Sequence, residues 1–108
     1  MPSRLSVAAL IAYLFGGVLG VQAATTITVA QHGLTFLRSS VALTKGDRIV
    51  FTNQDDVLHN IHIFGAADER DLGLQKPGAT LSYTFDKAGL FTVRCNIHPS
   101  VRMAVSVK

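Results

Sequence analysis

Cys95 is the only cysteine among 108 residues, and His98 follows it with two residues between them. A thiolate and an imidazole this close in sequence can face a single atom when the chain turns between them. Soft sulfur with imidazole nitrogen suits copper or zinc better than calcium or magnesium. One further histidine would complete a two-histidine, one-cysteine donor set, and His32, His59 and His62 remain. Each residue taken alone has a plainer explanation. A buried free cysteine is commonly an inert small hydrophobe, and a histidine next to a proline is commonly a loop residue. The combination, in a chain where Cys95 has no disulfide partner, points to a metal.

The N-terminus bears on that conclusion. Residues 1–4 are short and basic, and residues 5–21 are apolar and uncharged. Val21-Gln22-Ala23 then places apolar or small residues at the −3 and −1 positions of a cleavage site. This is the plan of a secretory signal peptide. A retained membrane anchor is the alternative, but the run is short against the ~20 apolar residues of a span and is diluted by Gly16, Gly17 and Gly20. The expected division is a signal peptide over residues 1–23 and one domain over residues 24–108. That domain is expected in the periplasm, without stable membrane insertion after cleavage. A small exported domain commonly relies on disulfides for stability. With one cysteine it can form none internally, so a metal would protect the thiol and contribute to folding.

Charge excludes another class. The formal net charge is +3, and loss of Arg4 lowers it by one. This is too mild and too scattered for a nucleic-acid surface, and a chain without tryptophan has little to offer as a base-stacking platform.

The elements that must position the donors read as strands. Residues 25–30 alternate and are rich in β-branched side chains. Residues 41–43 lead into the turn Lys45-Gly46-Asp47, and residues 48–53 form a strand with Ile49 and Phe51 on one face. Residues 53–56 are a loop and residues 58–64 an apolar strand. Residues 65–78 are expected to be a long polar connection, with Asp68, Glu69 and Asp71 on a solvated face. Residues 80–85 alternate again, residues 86–89 turn, and Phe91, Val93 and Cys95 share one face of the next strand. Residues 103–107 close the chain. Six or seven short strands with no convincing helix predict an all-β antiparallel sandwich or barrel. His59 opens a strand and Cys95 ends one, so both fall at an end of the sandwich. His62 lies three residues beyond His59 and faces the opposite side of that strand, which makes it a surface or packed histidine. His32 lies in a loop with no partner signal.

The segments Ile49-Val50-Phe51-Thr52-Asn53, Asp56-Val57-Leu58-His59-Asn60, Phe85-Asp86-Lys87-Ala88-Gly89 and Cys95-Asn96-Ile97-His98-Pro99 together resemble the cupredoxins. The likeness is to the amicyanin and plastocyanin kind and to small bacterial members labelled methylamine-utilisation proteins. Asp71-Leu72-Gly73-Leu74-Gln75-Lys76-Pro77-Gly78 resembles the long connection of that last group. Nearly all of residues 24–108 is covered. The resemblance implies a Greek-key cupredoxin sandwich holding one type 1 (blue) copper ion. His59 would be the upstream histidine ligand, Cys95 the thiolate and His98 the downstream histidine. Asn60 would tie the two ligand loops together and hydrogen-bond near the sulfur. The outer edge of His98 would be the electron port, beside an apolar docking surface. The axial position is left open. Family members with a loop this short carry a methionine three residues after the downstream histidine, where this chain has Val101; Met103 has the plastocyanin spacing. Either the Met103 sulfur approaches the metal, or Val101 fills the axial place and Met103 packs in the strand, which would raise the potential.

The function so implied is transfer of single electrons between redox proteins by a monomer that docks transiently. A copper carrier or buffer without redox work would use the same ligands and is the alternative. An enzyme is not expected. No His-x-His pair of the multicopper-oxidase kind is present, and Cys95 and His98 on one loop leave little room for a substrate or an orienting group. Structural zinc lacks a fourth strong ligand.

Overall fold

The computed structural model describes residues 23–108; the expected signal peptide lies outside these residues apart from Ala23. Eight strands follow one another: β1 (Thr26–Gln31), β2 (Ser40–Leu43), β3 (Arg48–Asn53), β4 (His59–Gly65), β5 (Glu69–Gln75), β6 (Thr80–Thr84), β7 (Gly89–Arg94) and β8 (Arg102–Val107). They form a three-stranded sheet in the order β1-β3-β6 and a five-stranded sheet in the order β2-β8-β7-β4-β5. The β1–β3 and β2–β8 pairs run parallel, and the remaining pairs run antiparallel. Among the described residues no helix is long and apolar enough to cross a membrane.

Period-two alternation drives the assembly, because successive side chains of a strand point to opposite faces. Ile49 and Phe51 of β3, Ile61 and Ile63 of β4, Val93 of β7 and Val105 of β8 are all essentially inaccessible between the sheets. Each such side chain stabilises the fold by about 1.5–3 kcal/mol through removal from water. Phe85 and Phe91 meet edge to face at 5.4 Å. Phe91 also explains Gly65 at the end of β4, where an added Cβ would collide with the aromatic ring.

Residues 65–78 are not a plain connection, since Glu69–Gln75 form the edge strand β5. Its pairing with β4 passes from Ile61↔Gly73 to His62↔Asp71, so Leu72 is an extra residue in the ladder. Gly73 has φ +96°, which glycine adopts without a Cβ penalty. A bulge of this kind shifts the alternation by one residue, so the strand carries no continuous period-two signal. Charged side chains at Glu69, Arg70 and Asp71 also guard an exposed edge against pairing with other chains.

The connectivity gathers one set of loops at one pole. β1 and β3 run parallel, so the loop after β1 lies beside the β3–β4 loop. The β7–β8 loop, residues 95–101, opens at the same pole because β4 starts there and β7 runs antiparallel to it.

Candidate metal centre

His59 is the first residue of β4 and has the parity of Ile61 and Ile63, so its ring enters the interior and is wholly buried. Cys95 continues the inward face of Phe91 and Val93 one step beyond β7 and is also buried. His98 lies on the 95–101 loop and is half-buried. His59 Nδ1 and His98 Nδ1 are 3.2 Å apart, and His98 Nδ1 is 3.9 Å from Cys95 Sγ. The three donor atoms lie within 4.8 Å of one another. His32 and His62 do not belong to this group. His32 is largely exposed, 3.8 Å from Asp55 Oδ1. His62 faces outward as its parity requires; it stacks on Phe64 at 3.8 Å between ring centroids and contacts Glu69 Oε2 at 3.0 Å.

Surrounding groups fix the donors. Asp55 Oδ2 is 2.8 Å from His59 Nε2. A proton on Nε2 is thus held by a carboxylate, which leaves the Nδ1 lone pair directed at the cluster. Asp55 also accepts hydrogen bonds from the Gly33 and Leu34 amides at 2.7 and 3.1 Å. Its carboxyl is held below its ordinary pKa, first by the hydrogen bond from His59, with the two amides adding to it and burial opposing. The Asn60 amide donates to Cys95 Sγ at 3.3 Å. Its side-chain Oδ1 accepts from the Asn96 amide at 2.5 Å, and Nδ2 donates to Asp71 Oδ1 at 3.1 Å. Asn60 therefore links β4 to the 95–101 loop and to β5.

That loop is closed from within. The Cys95 amide donates to the Val101 carbonyl and the Val101 amide to the His98 carbonyl, both at 2.9 Å. The first of these bonds carries the β7–β8 ladder one step past Arg94↔Arg102, so fully buried Val101 lies opposite Cys95, and the second closes the turn between His98 and Val101. Met103 is buried on β8 opposite Val93. Beneath the centre, Asn53 donates through Nδ2 to the Val57 and Gln75 carbonyls at 2.9 and 3.0 Å and accepts the Asp55 amide at 2.9 Å. The pole itself is apolar: Leu34, Leu37, Val57, Leu58 and Ile97 on its loops are exposed.

The donor set suits copper: a buried thiol already receiving an N–H, and two imidazole nitrogens converging on it. Asp55, which holds the His59 ring, is the residue of this cluster that sequence reasoning does not isolate. Its place four residues before His59, in a loop that turns back on itself, was visible as spacing but not as contact.

Fold and donor set together define a small metal-binding sandwich of the cupredoxin class. Residues 23–108 match the copper binding proteins of the plastocyanin/azurin family. The chain belongs to that family, and its cofactor is copper. It is 31% identical over 86 residues to the methylamine utilization protein MauL of Methylorubrum extorquens, covering 79% of this chain and 75% of that one. It is 35% identical over 60 residues to MauL of Methylophilus methylotrophus, which is 53% of this chain and 34% of the relative. Among solved structures, a copper(I) form of an amicyanin variant superposes with a TM-score of 0.69 at 22% identity, covering 84% of this chain and 88% of the other. This last likeness shows the fold.

Proposed function

We propose that this protein is exported and carries single electrons between redox proteins through one copper ion held by His59, Cys95 and His98. The observation that carries this reading is the convergence of the three donor atoms within 4.8 Å under an apolar, exposed pole. The copper ion supplies the one-electron couple between Cu(I) and Cu(II). The chain's contribution is stiffness. Asp55 fixes the His59 ring, the Asn60 amide holds Cys95 Sγ, and the Val101 backbone closes the loop carrying His98. Donors held in this way move little between oxidation states, and the N–H at sulfur with the apolar surround sets the potential. The exposed Leu34, Val57, Leu58 and Ile97 provide a docking surface beside His98 of the modest size that transient encounters use.

Of the two candidate residues we favour Val101 over Met103 as the side chain that would lie beside a bound ion, because the ladder sets Val101 opposite Cys95 and ties Met103 to Val93. Met103→Leu is then expected to leave the visible spectrum unchanged. A bleached or strongly shifted band in that variant would restore Met103 as a ligand.

Addition of Cu(II) to the protein tests the main reading. An intense blue or green thiolate-to-copper band is expected, and Cys95→Ser is expected to abolish it while leaving a folded sandwich. A Cys95→Ser protein of equal colour would overturn the ligand assignment. A colourless copper complex of the unaltered protein would favour a copper carrier without redox work.

A further inference from the structure

The outer face of the five-stranded sheet takes no part in the metal centre, yet it carries an unbalanced pair of charges. The register sets Arg94 of β7 directly opposite Arg102 of β8, with His62 of β4 on the other side of Arg94. Like charges on directly opposed residues destabilise a sheet. Among the described residues, the ion pairs formed by side chains all involve histidines, and neither guanidinium has a carboxylate partner. Arg94 is nonetheless held in position: its guanidinium lies 4.1 Å from the centroid of the Phe64 ring, a cation–π contact. Phe64 in turn stacks on His62. Arg102 is exposed beside it.

The two arginines open onto a groove of about 630 Å³, lined also by Ser39, Phe64, Thr92 and Ala104. A second groove of about 360 Å³ continues it along the same face to Leu90. Leu90 is 78% exposed, the most exposed of the large hydrophobic side chains among the described residues. Leu90, Thr92 and Arg94 alternate on this face, so Leu90 and Arg94 are about 13 Å apart along the strand. The face thus offers two forked cations at one end, short side chains along its floor and an apolar group at the other end.

We propose that this face docks an acidic surface segment of a partner protein. Carboxylates of that segment bridge Arg94 and Arg102, and an apolar side chain four or so residues away packs on Leu90. Guanidinium forks pair with carboxylate or phosphate bidentately. A free anion would use only the arginine end, whereas a protein segment uses the whole length of the groove. At its arginine end this surface adjoins the 95–101 loop, where Arg94 and Arg102 line a small pocket with Asn96 and Pro99, but it extends away from His98 to Leu90 and does not rest on the copper reading.

The test uses the ¹⁵N-labelled, copper(I)-loaded protein, titrated in one series with a synthetic peptide bearing two glutamates and, four residues on, a leucine. A parallel series uses inorganic phosphate. The expected result is a set of amide shifts over Phe64, Leu90, Thr92, Arg94, Arg102 and Ala104 with the peptide. Its affinity should fall about tenfold for each of Arg94→Gln and Arg102→Gln and weaken further as salt is raised. Retained spectral dispersion elsewhere shows that the variants fold. Peptide shifts on another face, or binding unchanged in the double variant, would overturn the proposal. Phosphate binding as tight as the peptide, without movement at Leu90, would replace it with a free-anion site. Concentration-dependent shifts at Asp68, Glu69 and Asp71 without any peptide would replace it with pairing to a second copy.

Discussion

Asp47 and Asp55 bracket β3, one before its first residue and one beyond its last, and locally they do the same thing. Asp47 accepts the Thr25 and Thr44 amides at 2.8 and 2.9 Å; Asp55 accepts those of Gly33 and Leu34. Each fastens a stretch of the early chain to one pole of the sandwich. The difference is a single additional partner. Asp55 holds His59 Nε2, and that bond is the largest influence on its carboxyl. The carboxyl of Asp47 is lowered by its two backbone bonds, against burial. One pole is a clasp. The other is the same clasp with His59 of the proposed centre attached, so the order of the loop and the aim of that ring are set together.

Removing each clasp separates those roles. Asp55→Ala is expected to weaken copper binding about 10–100-fold, the usual effect of deleting the outer partner of a ligating histidine. Loss of the anion at Nε2 also makes His59 a poorer donor to Cu(II), so the potential should rise. Copper titration and voltammetry of Asp55→Ala against Asp47→Ala would measure this, with the Asp47 variant keeping both affinity and potential. Equal losses in the two variants would mean that the poles are coupled through β3 and that Asp55 acts only as a fastener.

Asp47→Ala should instead lose stability, with a definite pH dependence. A carboxyl depressed in the folded state stabilises fully above its unfolded pKa, and that contribution disappears as pH falls through the lower folded value. The melting-temperature gap between Asp47→Ala and the unaltered protein should therefore be widest near neutral pH and narrow below about pH 4. A gap that stays constant from pH 7 to pH 2.5 would show that the side chain acts through packing and not through charge.

How much of this was legible follows from which signals are local. His59, Cys95 and His98 could be chosen because strand parity decides which side chains turn inward, and parity is written in neighbours such as Ile61 and Val93. The same parity puts His62 on the opposite face, and it faces outward. The sequence of β5 reads as a loop because the bulge at Leu72 and the positive φ of Gly73 break its alternation, and because its stability comes from pairing with β4 and not from its own apolar face. The parallel β1–β3 and β2–β8 pairings join segments far apart in the chain, and no local pattern encodes them. Asp55 was visible as a loop residue. Its contact with His59 depends on how the 54–58 loop folds back, which composition does not report.

A third carboxylate gives the smallest effect and a clean readout. Asp68 accepts a hydrogen bond from Tyr83 Oη, joining the β4–β5 loop of one sheet to β6 of the other. Here the aspartate meets a side chain, as Asp55 does, but no ligand, as at Asp47. Tyr83 is pushed up to about 12, by burial first and then by Asp68, while the same hydrogen bond is the chief influence lowering Asp68. For the phenol the sign is opposite to that of the carboxylates. Its contribution is present below the unfolded value near 10 and is lost as pH rises through the folded value. Tyr83 is the one tyrosine among residues 23–108, so ultraviolet absorbance of that domain should show ionisation near pH 12 when folded and near 10 in denaturant. The copper band should be unaffected by Tyr83→Phe. Ionisation of the folded protein near 10 would show that neither burial nor the bond to Asp68 holds the phenol in solution, and the link between the two sheets at this point would be lost from the comparison.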